Sequence, residues 1–406
     1  MSCLTFLASI EKILSKTHKI VMSTDKRHKR IAIMVGAGYV PGINAVVAGA
    51  SLAASKLGWE LVGIMNGFDG ILHPEKFPDG GLIPIDSRKL NLDPNTSSVL
   101  GQSSRVDPFS VRTINELEMV EEVDMSDLLL EKLKAEKIDA VISIVGKTGL
   151  SILYQLHRKG LNTVCVPRSI ENDMASTALS FGFNTALAFT IEMLDRARLA
   201  AKAAHKIAVV EVQGEETGWI ALQAGIAVAA DAVIIPEIPV DLKDVATHLQ
   251  HAMSGKKSWG LVVVAQGAKF INQKKNEEPV SSLKASLSPL ASSDYTSEYV
   301  IHKSGQAAQA VAEGLQLRIA EETFPMVIGP WVRGGAPSAV DRQLGVAYGA
   351  GAIQALEAGS NGVMVSFVPP DVKFVPLAEA INRVRKIPAE SMFLLVADSL
   401  GIYIGK

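Results

Sequence analysis

The sequence predicts a doubly wound α/β fold spread over two domains, and three observations carry that reading. Short apolar strands alternate with amphipathic or Ala-rich helices along most of the chain. Glycine-rich turns follow the strands, which places ligand-binding groups at strand C-termini. The 406 residues suffice for two domains at the usual 100–200 residues each.

The elements follow in order. Arg30 to Val35 reads as a strand, and Gly36-Ala37-Gly38-Tyr39-Val40-Pro41-Gly42 leads from it into an Ala/Val-rich helix, Ile43 to Leu57. Strand, glycine turn and helix is an arrangement that offers backbone N–H groups to a phosphate. Close strand–helix packing needs the same small residues. Glu60 to Ile64 is a second strand. Residues 84 to 100 are polar and read as loop, and Gly101-Gln102-Ser103-Ser104-Arg105 suits an anion. Ser126 reads as the N-cap of a helix from Leu128 to Lys137. Ala140 to Val145 is a buried strand that opens into Gly146-Lys147-Thr148-Gly149 and a helix through His157.

Thr163 to Val166 is the next strand, stopped by Pro167. Arg168-Ser169-Ile170-Glu171-Asn172-Asp173 follows. Two carboxylates at a strand C-terminus can orient a hydroxyl, take its proton or hold a metal; the same residues also suit a solvated turn. Met174 to Leu187 reads as the way into a helix. Beyond it the pattern repeats: strands at Lys206 to Val212, Ala232 to Ile235 and Gly260 to Ala265, and helices from Trp219, over Val245 to Met253 and over Gln306 to Leu315. Phe270 to Tyr295 reads as an exposed loop, Pro325 to Ile328 leads to Trp331-Val332-Arg333-Gly334-Gly335, and a helix (Gln343 to Leu356) and a strand (Gly362 to Val368) precede a C-terminal tail.

Composition narrows the function classes. The chain is 48% hydrophobic and 20% charged, which suits a large core. A net charge of −2 offers no electrostatic case for nucleic acid or a membrane surface. Two cysteines, Cys3 and Cys165, form neither a disulfide framework nor a zinc site and point to a reducing, cytoplasmic compartment. No apolar run reaches the roughly 20 residues of a membrane span. Residues 1–28 carry apolar residues at helical spacing among lysines. They read as an extension, disordered or docking, with the true start at Met22.

Taken together, the turns resemble the phosphofructokinase family from about Lys29 to Lys406. Pro41-Gly42-Ile43-Asn44 resembles its first phosphate turn and Gly67-Phe68-Asp69-Gly70 the turn after its second strand. Gly182-Phe183-Asn184-Thr185-Ala186, Glu211-Val212 with Gly218-Trp219, Pro236-Glu237-Ile238-Pro239, and Arg333-Gly334-Gly335 with Pro337 and Asp341-Arg342 follow in the family's order. The resemblance implies two Rossmann-like three-layer α/β domains with the active site in the cleft between them. The donor-type domain would be residues 29–182 plus 332–385, and the sugar-phosphate-type domain residues 183–331 plus 386–406. It further implies a homodimer or tetramer, a place in glycolysis, and Mg²⁺-assisted phosphoryl transfer from ATP or pyrophosphate to the 1-hydroxyl of fructose 6-phosphate.

Carried over residue by residue, the resemblance makes Glu171 the base, in place of the first Asp of the family's Thr-Ile-Asp-Asn-Asp. Asp173 matches the second Asp, and Arg105 would reach the transferred group. Gly38, Lys147, Thr148 and Arg168 fall on the donor-phosphate side. Ser169, Lys206, Gln213, Gly214, Glu237 and Arg333 fall on the sugar-phosphate side. Arg168 stands where the pyrophosphate-dependent branch has Lys, although it could equally pair with Glu171 or Asp173.

Several positions depart from the family. Lys147 replaces the Asp of the magnesium turn, and an ammonium cannot ligate Mg²⁺. Tyr39 puts a ring where a small acidic residue is usual and is expected to narrow the donor site. Gln213-Gly214-Glu215 replaces Met-Gly-Arg, Pro330 replaces a His, and Phe324 replaces a phosphate-binding Arg. Because donor, metal and acceptor sites are all affected, the sequence predicts a weakly active or non-catalytic subunit, alone or paired with an active paralogue, or a sensor of a phosphorylated ligand. The alternative is an active pyrophosphate- or ATP-dependent 6-phosphofructokinase with an atypical site.

Overall fold

The computed structural model describes residues 28–86, 98–101, 107–115, 118–255, 257–271 and 304–405. The N-terminal extension and Arg105 lie outside them, as does most of the expected loop after Phe270.

In the first half, β1 (Arg30–Val35), α1 (Ile43–Leu57), β2 (Glu60–Ile64), the short α2 (Asp69–Leu72) and β3 (Leu82–Pro84) lead to a hairpin, β4 (Val111–Ile114) and β5 (Val120–Val123). Then come α3 (Ser126–Ala135), β6 (Ala140–Val145), α4 (Lys147–Arg158), β7 (Thr163–Ser169) and β8 (Phe181–Gly182). The second half holds α5 (Phe183–Ala204), β9 (Ile207–Val212), α6 (Trp219–Ala227), β10 (Ala232–Ile234), α7 (Leu242–Ala252), β11 (Gly260–Ala265), α8 (Gln306–Gln316) and β12 (Thr323–Val327). It closes with α9 (Ala339–Glu357), β13 (Val363–Val368), β14 (Asp371–Pro376), α10 (Leu377–Ala380) and α11 (Met392–Ser399).

Two sheets organise these elements. The larger runs β14-β13-β7-β6-β1-β2-β3, with β8 paired to β7, and the smaller runs β10-β11-β9-β12. The interior pairings β2–β1–β6–β7–β13 and β10–β11–β9–β12 are all parallel, and only the outer strands β3 and β14 run antiparallel. Parallel strands covered on both faces need apolar side chains on both. Accordingly β1 beyond Arg30, all of β6 and all of β9 are buried.

Helices α1 and α9 pack at close range through glycines. A Cβ added at Gly49 would fall 2.1 Å from the Val346 carbonyl oxygen, and one at Gly349 would fall 2.0 Å from that of Val46. Gly182, at φ +95°, lets the start of α5 nest on the first glycine turn, where a Cβ would meet Val40 Cγ1 at 2.0 Å.

Four local expectations change. Pro167 does not stop its strand: β7 continues to Ser169, with Pro167 in register with Val145 of β6. The β13 ladder ends at Cys165, so beyond it a proline has fewer ladder bonds to lose. Ser126 is not the N-cap. It is the first helical residue, its N–H bonds Asp124 Oδ1 at 2.8 Å, and its hydroxyl takes the Lys159 ammonium at 2.6 Å. The stretch from Met174 is not yet helix; Met174 bridges to Val384, and α5 waits for Phe183. The C-terminal tail is structured: β14 closes the large sheet, α10 and α11 follow, and Tyr403 bridges to Ala232 at the small sheet's edge.

Candidate active site

The carboxyl ends of the parallel strands from both sheets border one cleft. It encloses about 200 Å³, far more than a single water needs. From the large sheet come Gly38 after β1, Gly146, Lys147 and Thr148 after β6, and Arg168 to Glu171 with Asp173 at the end of β7. From the small sheet come Gln213, Glu215 and Glu216 after β9, and Gln266 after β11. Pro330 and Arg333, on the 3₁₀ turn after β12, close the far side with Ser304.

The stretch ending β7 is built by its own side chains. Asn172 takes the left-handed conformation at φ +54°, which Asn tolerates better than most residues. Its Oδ1 accepts from Ser180 N at 3.0 Å. The Ser169 hydroxyl donates to Asp173 Oδ1 at 2.5 Å and accepts from Glu171 N at 3.0 Å. Arg385 braces the turn from outside: its backbone N donates to the Asp173 carbonyl at 2.8 Å and its guanidinium to the Asn172 carbonyl at 3.3 Å. The same guanidinium lies 4.2 Å from the centre of the Trp219 ring, and Trp219 Nε1 donates back to the Arg385 carbonyl at 2.8 Å. The two carboxylates are thus held by a turn that the C-terminal segment and the second half of the chain both support.

Their environments differ. Asp173 is nearly closed to solvent, with its side chain 7% exposed, and Lys147 Nζ lies 2.7 Å from its Oδ2. The same ammonium reaches Glu216 Oε1 at 2.7 Å. Burial alone would lower the Lys147 pKa, but Asp173 and Glu216 outweigh it and hold the ammonium above its ordinary range. Among the described residues Glu171 accepts one long bond, from Glu215 N at 3.3 Å. Burial, and then the charge of Asp173, push it up to about 7 against the pull of Arg333 and Lys147. One carboxylate is tied into an ion pair, and the other is poised near neutrality at the cleft wall, as a general base requires.

The cleft does not fit a protein-held divalent cation. Mg²⁺ needs oxygen ligands, and the carboxylate oxygens of Asp173 and Glu216 that face the cleft already hold an ammonium. Among the described residues no group of three His, Cys, Asp or Glu side chains is placed to hold a metal.

Of the residues read from the sequence, Gly38, Lys147, Thr148, Arg168, Ser169, Glu171, Asp173, Gln213 and Arg333 all line this cleft. Gly214 sits between lining residues, its carbonyl accepting from Gly267 N at 2.9 Å. Glu237 is set back from the wall. Its carboxylate accepts from Gly218 N at 3.0 Å and from Ile387 N at 3.1 Å, so it ties loops together. Lys206 is not brought in: it precedes β9, at the end of the strand opposite the cleft, and pairs with Glu322. Tyr39 does not narrow the cleft, because its ring packs against the core beside the first turn. Glu216, Gln266 and Ser304 were not singled out in the sequence. Gln266 carried a usable signal, since it directly follows a buried strand as the other lining residues do.

Comparison with known proteins gives the following. The sequence model of the family described as phosphofructokinase matches residues 30–356. The chain is 33% identical over 392 residues to an ATP-dependent 6-phosphofructokinase of Chloroflexus aurantiacus, covering 93% of this chain and 98% of that protein. It is 32% identical over 383 residues to ATP-dependent 6-phosphofructokinase 2 of Clostridium perfringens, covering 92% and 98%. Among solved structures, the phosphofructokinase of Saccharomyces cerevisiae superposes with a TM-score of 0.67 at 23% identity, over 87% of this chain and 45% of that one. The pyrophosphate-dependent phosphofructokinase of Marinobacter aquaeolei superposes with a TM-score of 0.66 at 19% identity, over 89% and 86%. At these identities the two structures speak for the fold alone.

Proposed function

Because this chain belongs to the phosphofructokinase family, we propose that it is an active 6-phosphofructokinase-type phosphotransferase in which Glu171 takes the proton of the acceptor hydroxyl. The observation that carries this reading is the split between the two carboxylates. Glu171 is raised to about 7 by burial and by Asp173, so near neutral pH it is both available as a base and strong enough to act. A decayed centre would not need that poise. The names of relatives about one-third identical over nearly their whole length support the same activity.

The residues divide into roles. Ser169 and Asp173 hold the turn, and Arg385 keeps its backbone in place. Arg333 faces Glu171 and stabilises negative charge gathering on the transferred group. Arg168 and the first amides of α4, beside Lys147 and Thr148, form the donor-phosphate wall. Gln213 and Glu215 stand on the acceptor side. The donor is an anion ending in a diphosphate or triphosphate. No step is assigned to a protein-held metal.

A second reading, a non-catalytic ligand-binding subunit, is favoured by one observation: Lys147 bridges Asp173 and Glu216 where a phosphotransferase would hold a metal. A coupled assay of the purified chain separates the two. Fructose 6-phosphate and Mg²⁺ are supplied with ATP in one arm and with pyrophosphate in the other. Turnover near ordinary kinase rates, about 1–100 per second, is expected in at least one arm. No product in either arm removes the catalytic reading.

A further inference from the structure

Lys147 makes two contacts of very different quality. Asp173 is 7% exposed, whereas Glu216 is 51% exposed and stands on the loop after β9. An ammonium has three donors, and these contacts use two of them. The Lys147 side chain is 34% exposed, and it lines the cleft beside Arg168 and the start of a twelve-residue helix, α4. An exposed carboxylate is a weak partner for a cation. A phosphoryl oxygen is a stronger one, because its bond to an ammonium is charge-assisted and it carries more charge.

We propose that Lys147 is the cation that binds the donor's phosphoryl oxygens, and that Glu216 is an exchangeable placeholder on it. When the donor enters, Lys147 keeps the buried Asp173 and trades the exposed Glu216 for a phosphoryl oxygen. The ammonium is covalently held where the family would place a metal, so the donor is bound without a divalent ion from the protein.

Charge in the cleft favours the exchange. Among the described residues, four lining carboxylates, Glu171, Asp173, Glu215 and Glu216, face three cations, Lys147, Arg168 and Arg333. Release of Glu216 into solvent removes one negative charge from the phosphate's surroundings and frees one donor for it. The proposal rests on the phosphotransferase reading for the identity of the anion, though not for its binding.

The test is calorimetric titration of the full chain with inorganic pyrophosphate and, separately, with ATP, each in excess EDTA and in excess Mg²⁺. At least one anion is expected to bind in EDTA. Glu216→Gln is expected to bind that anion about two- to fivefold more tightly, the range of an exposed pair. Lys147→Met is expected to bind it about tenfold more weakly or worse. Pyrophosphate alone behaving so identifies a diphosphate donor, and ATP alone a nucleotide donor; either supports the proposal. Binding of both anions only with Mg²⁺ overturns it, as does a Glu216→Gln protein whose affinity is unchanged or weaker. If Lys147→Met does not fold, the EDTA arm and Glu216→Gln still decide. Metal-free binding without turnover of fructose 6-phosphate removes the catalytic reading and leaves this one standing. Turnover with strictly metal-dependent binding does the reverse.

Discussion

The Lys147 ammonium lies 2.7 Å from the Asp173 carboxylate, and that carboxylate is almost sealed from water. This pair sets the electrostatics of the cleft. Asp173 in turn helps raise the neighbouring Glu171.

Catalysis should therefore show an acid limb. With Glu171 at about 7, kcat/KM is expected to fall about tenfold per pH unit below that value and to level off above it. Glu171→Gln should lose roughly 10²–10⁴-fold in rate and lose the limb along with it. A rate profile in which the limb survives Glu171→Gln assigns the proton to another group.

The same residue should cost stability. Its ordinary value of 4.5 applies in the unfolded chain, so between about 4.5 and 7 the folded protein holds more protons. Stability then falls as pH rises through that window, and above about 7 the full cost of the buried charge is present. Glu171→Gln should thus stabilise the fold by about 1–2 kcal/mol at pH 8, allowing for the open cleft, and by much less at pH 5. Urea unfolding at the two pH values checks this; an equal gain at both would refute it.

Lys147→Met should act in the opposite direction. It leaves the buried Asp173 carboxylate with the Ser169 hydroxyl, at 2.5 Å, but without its ion pair. A loss of about 1–3 kcal/mol is expected at neutral pH, measured by the same unfolding experiment. A variant as stable as the parent would mean that the pair contributes little.

Arg385 is a positioning residue. Its guanidinium bonds the Asn172 carbonyl and stacks on Trp219. Arg385→Ala should lower kcat about tenfold or more with a smaller change in KM, since a displacement of about 1 Å at a reacting group is that costly. Arg385→Lys should restore little, because a lysine cannot reproduce the planar stack. Equal kcat values for all three proteins would argue against the role.

Gly349→Ala tests the helix contact that supports the large sheet. The added methyl would meet the Val46 carbonyl oxygen at 2.0 Å, and backbone cannot rotate away. A loss of about 1–3 kcal/mol or more is expected. An unchanged Tm would show that α1 and α9 slide apart readily.

The sequence by itself determined the elements and the order of the cleft. Runs such as Ile31 to Val35 and Ile207 to Val210 have apolar side chains on both faces, which only a covered parallel strand uses well. The residues just after such strands lie at their carboxyl ends whatever the packing, so Lys147, Glu171 and Gln213 could be located in advance. Ladder and capping details were less legible: whether Pro167 ends a strand depends on where β13 stops beside it, and β13 lies almost two hundred residues away. The tertiary structure alone decided the partners. Lys147 and Glu216 are 69 residues apart and meet only because the carboxyl ends of two separate sheets border one cleft. Lys206 and Glu237 carry suitable charges, yet one lies at the opposite end of its strand and the other is consumed by backbone N–H groups. Charge type is written in the chain, but a pKa or an ion pair depends on distance and burial, and those are set by how the sheets pack.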